Sequence, residues 1–194
     1  MRVAVVIPSY KVRSHILSVL AQIPEVVDAV YVVDDKCPER TGEHVQQHSK
    51  DPRVHVIFNE INQGVGGATL AGYRRALFDG AEVVVKLDGD GQMDPANIPS
   101  LIRPIQRGSA DYTKGNRFYS LENLEGMPFL RKFGNTALSF ISKVSSGYWN
   151  VMDPTNGYTA IHAGALSLLP MSKIEKRYFF ESDMLFRLNT IRAV

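Results

Sequence analysis

Val83–Asp94 reads VVVKLDGDGQMD. Three valines and a leucine surround one lysine, and three acidic residues follow within seven positions. A short β-branched run that breaks into turn residues predicts a buried strand over Val83–Leu87. Asp88 and Asp90 then sit at its C-terminal end, the edge of an open α/β sheet where ligands bind. Two carboxylates this close repel unless a cation lies between them. A divalent ion with oxygen ligands answers that need, and Mg²⁺ or Mn²⁺ brings substrate phosphates with it. Gly89 and Gly91 let the backbone turn beside the charge. An EF-hand beginning at Asp88 is excluded, because its sixth and twelfth positions are Met93 and Pro99 rather than Gly and Glu.

Outward from this stretch, strands and helices alternate. Val3–Ile7, Ala29–Val33, Val54–Phe58 and Ala110–Lys114 read as strands, and Gly157–Ile161 as a later one. His15–Gln22, Thr69–Phe78, the region near Ile98–Gln106, Phe129–Val144 and Glu181–Arg192 carry helical spacing. Asn62–Gly67 reads as a Gly-rich turn and Ser120–Pro128 as a polar loop. The alternation predicts an α/β fold with a mainly parallel sheet covered on both faces. Right-handed crossovers bring the strands' C-terminal ends to one rim. Pro8–Tyr10, Asp34-Asp35, Asp88–Gln92 and Arg117 all fall on it.

The composition narrows the partners. The chain has 194 residues and a formal net charge of +2. That length suits one domain, and the near-neutral balance argues against nucleic acid as a partner. A single cysteine, Cys37, cannot pair within the chain, which fits a reducing cytoplasmic compartment. Val3–Ile7 is too short for a signal-peptide core and is cut by Pro8. No apolar run approaches the roughly eighteen residues of a membrane span. The periodic pattern of the last helix runs to the end of the sequence, so the natural protein is expected to continue beyond it.

Four motifs in order, VVIPSY, VVDD, NQGVGGA and LDGDGQ, resemble those of the family-2 glycosyltransferases with a GT-A fold. The likeness is strongest to the branch that loads sugars onto polyprenol or dolichol phosphates, and it spans essentially the whole chain as one domain. It implies an inverting, metal-dependent hexosyltransferase that takes its sugar from a UDP- or GDP-linked donor. By that resemblance Pro8 and Tyr10 meet the nucleobase and Asp35 accepts its ring N–H, with Asp34 toward the ribose. Asn62 and Gly64 belong to the donor rim. Asp88 serves ribose or metal, Asp90 is the direct metal ligand, and Gln92 adds a metal oxygen. Gly64, Gly66 and Gly67 would let backbone approach the ligand at a helix N-terminus.

On the acceptor side, Arg117 matches a basic residue that meets phosphate. Arg131 and Lys132 are placed to hold an acceptor phosphate, which guanidinium suits by bidentate donation. Asp153 and Glu181 are the remaining candidate acids. Glu181 resembles the catalytic base of relatives that act on hydroxyls, whereas an ionised phosphate acceptor needs none. The chain departs from the family pattern at Lys11-Val12, where many relatives have Asn-Glu, and at Gly157-Tyr158-Thr159, where many have Gly-Phe-Arg. Three alternatives stay open: a transferase using a hydroxyl acceptor in polysaccharide or glycolipid synthesis, a dehalogenase-type phosphatase, and a non-catalytic nucleotide-sugar-binding module. A lipid acceptor would place the protein at the cytoplasmic face of a membrane, and Phe129–Val144 pairs an apolar face with Arg131, Lys132 and Lys143 as an interfacial helix does.

Overall fold

The computed structural model describes residues 1–116, 147–148, 153 and 156–194. Six strands form one sheet: β1 (Val3–Ser9), β2 (Ala29–Asp34), β3 (Val54–Phe58), β4 (Val83–Lys86), β5 (Tyr112–Lys114) and β6 (Thr159–His162). Their order is β3-β2-β1-β4-β6-β5. The first four run parallel, joined by α1 (Ile16–Ala21), α2 (Thr41–His48) and α3 (Gly64–Phe78). The helices α4 (Ile98–Gln106), α5 (Ala163–Leu168) and α6 (Phe180–Thr190) follow.

Period-two alternation divides the core between two faces. Val83, Val85 and Leu87 join Ile16, Val19, Ile98 and Ile102 on the α1/α4 face. Val84 and Val6 join Leu70, Tyr73, Phe180 and Met184 on the α3/α6 face. Both faces of the central strands are buried, which is why they read as continuous apolar runs. Pro8 is tolerated in central β1 because the β1–β4 ladder has ended at Val6 and Lys86.

The sheet is mainly parallel, as expected, with one antiparallel member. β6 runs antiparallel between β4 and β5, so its N-terminal end, Thr159, lies on the rim. β5 is antiparallel to β6 and therefore shares β4's direction, which keeps Lys114-Gly115 on that rim. It is shorter than expected, since Ala110 and Asp111 precede the ladder. α2 was not expected: within TGEHVQQH only Thr41, Gly42 and Val45 are buried, too few for an apolar stripe. α3 starts five residues before the expected Thr69, and the Gly-rich stretch is its first turn. The Phe129–Val144 helix and the Ser120–Pro128 loop lie outside the described residues.

Candidate active site

The turn after β4 carries the two aspartates, but a cation from the chain already serves one of them. Lys86, 1 % exposed, places Nζ 2.7 Å from Asp88 Oδ1 and 3.2 Å from Glu181 Oε1. Burial alone would lower the lysine's pKa. The two carboxylates outweigh it and hold the ammonium above its ordinary value. The apolar setting of VVVK concealed this residue from sequence reasoning. Asp90 is freer: among the described residues its only hydrogen-bond partner is the Gln92 backbone N–H, 3.0 Å from Oδ1.

The aspartates after β2 are far more engaged. Asp34 is buried, with Oδ1 accepting from Cys37 N and Oδ2 from Gly42 N, each at 2.7 Å. That fixes the first turn of α2 and turns Asp34 inward, away from the expected ribose position. Asp35 accepts from Asn59 Nδ2 at 2.7 Å and from the backbone N–H groups of Gln63 and Gly64 at 2.9 and 2.8 Å. It therefore supplies acceptors for the start of α3 from outside the helix, and this is what lets glycines begin it. Its carboxylate retains little acceptor capacity for a base N–H.

The glycines at the start of α3 pack closely against the chain itself, and of them only Gly64 also lines a cavity on the rim. A Cβ on Gly64 would come 2.7 Å from Lys176 O, and one on Gly66 would come 2.7 Å from Glu175 O and the Phe180 ring. Gly67 N donates to Lys176 O at 3.0 Å. The segment leading into α6 thus occupies the space that the Gly-rich reading reserved for substrate, and the helix N-terminus is already supplied with acceptors.

A cavity of about 430 Å³ opens on the rim, lined by Pro8, Tyr10, Asp35, Asn62, Gly64, Asp88 and Asp90 together with Arg177 and Tyr178. Of the donor residues expected from sequence, Pro8, Tyr10, Asp35, Asn62, Gly64, Asp88 and Asp90 line it, and Asp34, Gly66 and Gly67 do not. Gln92 stands beside it through its contact with Asp90. Glu181 does not line it and lies behind Lys86, with a side chain 14 % exposed. Arg177 and Tyr178 were missed; they lie 87 or more positions from the aspartates and are joined to them by the fold alone. Cys37 has a structural part, with Sγ accepting from Lys11 N at 3.1 Å and meeting Thr41 Oγ1 at 3.2 Å. Asp153 is buried. Arg117, Arg131 and Lys132 lie outside the described residues.

The model of one sequence family, Glycosyl transferase family 2, matches residues 4–169. The chain belongs to that family. This glycosyltransferase is 34 % identical over 191 residues to undecaprenyl-phosphate mannosyltransferase of Micrococcus luteus, covering 96 % of this chain and 77 % of the relative. It is 32 % identical to UDP-N-acetylglucosamine–dolichyl-phosphate N-acetylglucosaminyltransferase of Methanococcus voltae, covering 89 % of this chain and 74 % of the relative. Among solved structures it resembles glucosyl-3-phosphoglycerate synthase from Mycobacterium tuberculosis in complex with Mn²⁺, UDP and glucosyl-3-phosphoglycerate. That match has 20 % identity and a TM-score of 0.68, and covers 93 % of this chain and 62 % of the other. At that identity the likeness bears on the fold, which is GT-A.

The donor set of this glycosyltransferase fits a hard divalent ion. Asp90 has carboxylate oxygen to offer at the cavity wall, and the Gln92 backbone N–H donates to it. Lys86, Asp88, Glu181 and Asp90 together carry one positive and three negative charges, a net −2. No cluster of three His, Cys, Asp or Glu able to hold a metal occurs among the described residues. An all-protein cage is thus missing from that part of the chain, as expected where one or two carboxylates share the ion with substrate phosphates and water.

Proposed function

We propose that the rim cavity binds a nucleoside diphosphate-sugar and that the protein transfers the sugar, with inversion, to a polyprenyl phosphate. The observation that carries this reading is the convergence of Pro8, Tyr10, Asp35, Asn62, Gly64, Asp88 and Asp90 on one cavity large enough for such a ligand. The names of the two relatives above, both lipid-phosphate sugar transferases, support the acceptor. Asp90 and Gln92, with Asp88, would hold Mg²⁺ or Mn²⁺, which would supply Lewis-acid stabilisation of charge on the diphosphate leaving group.

The chain's own groups do the rest. Pro8 and Tyr10 form the wall on which the nucleobase lies. Asp35, engaged with the start of α3, shapes that wall. Arg117, Arg131 and Lys132 are assigned to phosphate charge on the acceptor side. The sugar's anomeric carbon gains positive character as the leaving bond lengthens, so an acceptor oxygen attacking from the opposite face gives inversion. That oxygen belongs to an ionised phosphate and needs no base. Glu181's engagement with Lys86 supports this, because its carboxylate is paired with that ammonium and is not among the groups lining the cavity. Among the described residues no helix is long and apolar enough to cross a membrane.

Calorimetry with UDP and GDP, with and without Mn²⁺, tests the donor half. Asp90→Asn should abolish the metal-dependent part of the affinity while the fold stays intact. Unchanged affinity sinks the assignment. Product formation from UDP- and GDP-sugars on a short-chain polyprenyl phosphate tests the acceptor half, and transfer only to hydroxyl acceptors would overturn it.

A further inference from the structure

Lys86 takes no part in the chemistry above, yet it is the only buried lysine or arginine among the described residues. It shares a face of β4 with Val84, where an apolar side chain would pack against α3 and α6. Instead its ammonium gathers three separate pieces of chain. Nζ lies 2.7 Å from Asp88 Oδ1 on the rim turn, 3.2 Å from Glu181 Oε1 in the first turn of α6, and 3.4 Å from the Gly157 carbonyl ahead of β6. Gly157 is the residue that makes room: a Cβ there would collide with Nζ and approach Asp88 Oδ2 to 2.8 Å. The residues before α6, Arg177 and Tyr178, line the cavity.

We infer that Lys86 is a positioning residue of the donor site, fixing which oxygen of Asp88 faces the cavity and tying α6, with its Arg177-Tyr178 lead-in, to the metal-binding turn. The inference rests on the donor reading above. An aspartate flanked by Gly89 at a turn samples several rotamers, and ordering one on binding weakens affinity. A buried ammonium on Oδ1 settles the rotamer before the ligand arrives. It also occupies Oδ1, which leaves Oδ2 as the oxygen Asp88 can offer a ligand, so Asp88 acts as a one-oxygen partner while Asp90 supplies the less encumbered carboxylate. Glu181 is a partner of the ammonium rather than of the substrate.

A double-mutant cycle between Lys86→Met and Asp88→Asn tests this, read as the dissociation constants of UDP and GDP with Mn²⁺ and as melting temperatures. Lys86→Met is expected to weaken nucleotide binding about tenfold or more, and by less than about threefold once Asp88 is already Asn, because coupled residues are non-additive. A loss that is equal in both backgrounds would overturn the inference, since the lysine would then act through general stability. So would wild-type affinity in folded Lys86→Met protein. Should that variant fail to fold, Gly157→Ala keeps every charge and displaces the ammonium from its place against Asp88, pressing on Asp88 Oδ2 as well. It is expected to weaken binding in the same direction, and normal affinity there overturns the proposal. Wild-type protein that binds neither nucleotide overturns the donor reading itself, together with this inference. Wild-type binding with indifferent Lys86 and Gly157 variants overturns this inference alone.

Discussion

Two pairs of aspartates sit on the same rim, at the ends of β2 and β4 with β1 between them, and they lead different lives. Asp34 and Asp35, after β2, are buried and accept from five donors: Cys37 N, Gly42 N, Asn59 Nδ2, Gln63 N and Gly64 N. Asp88 and Asp90, after β4, have one ammonium and one backbone N–H between them among the described residues. As sequence, VVDD and LDGDG look equally reactive. In the structure the first pair starts two helices and the second keeps oxygen available to a ligand. The lesson concerns accounting: a carboxylate's role follows from how many of its lone pairs the chain already occupies.

The largest expected break in this contrast is Asp34→Ala. It leaves the N–H groups of Cys37 and Gly42 buried without an acceptor, and each such orphan costs roughly 1–3 kcal/mol. A loss of about 4 kcal/mol in urea denaturation is expected, against less than about 0.5 kcal/mol for Asp90→Asn on the rim. Equal losses would erase the distinction. Asp35→Asn comes next, at about 2–3 kcal/mol, because a carboxamide cannot offer acceptors to all three donors and its NH₂ opposes the N–H of Gln63 or Gly64. Nucleotide affinity should fall with it, and calorimetry at a temperature where the variant remains folded separates the two effects.

These predictions mark where the sequence was legible and where it was not. Local pattern sufficed for β1 to β4 and for the rim, because strand ends are announced by Pro8-Ser9, Asp34-Asp35 and Asp88-Gly89 within a few residues of each run. It failed for partners far along the chain. Lys86 meets Glu181 across 95 positions, and VVVK read alone is simply a strand. The glycines of NQGVGGA are visible in the sequence, but their neighbour Glu175–Arg177 is not, and Gly66 meets that segment while Gly64 also lines the cavity. Gly66→Ala sharpens the point. Its Cβ would press into Glu175 O and Phe180, and overpacking of this kind costs about 1–3 kcal/mol. A stability loss of about 2 kcal/mol is expected even without nucleotide. A variant that melts normally and fails only in binding would return these glycines to the ligand.

The smallest effect concerns a carboxylate of a third kind, partly exposed and serving neither helix nor ligand. Asp51 pairs with Arg53 at 2.7 Å, with both side chains about a quarter exposed. The Arg53 hydrogen bonds hold its pKa below the usual carboxylate range, against a smaller opposing push from burial. The sign follows from linkage: the folded value lies below the unfolded one, so between them the unfolded chain binds more protons. The stability is therefore present above the unfolded value of about 3.9 and is lost as pH falls through the folded value. Arg53 keeps its bonds to the carbonyls of Ile23, Pro24 and Val27 whatever Asp51 does, so the segment between α1 and β2 stays anchored. Asp51→Asn should thus cost only about 0.5–1 kcal/mol at pH 7, the range of a solvent-screened pair. The difference between variant and wild type in urea denaturation should shrink toward zero by about pH 2. A gap that persists undiminished at acid pH would mean that Asp51 acts through shape rather than charge, which would place it with Asp34 instead of between the two rim pairs.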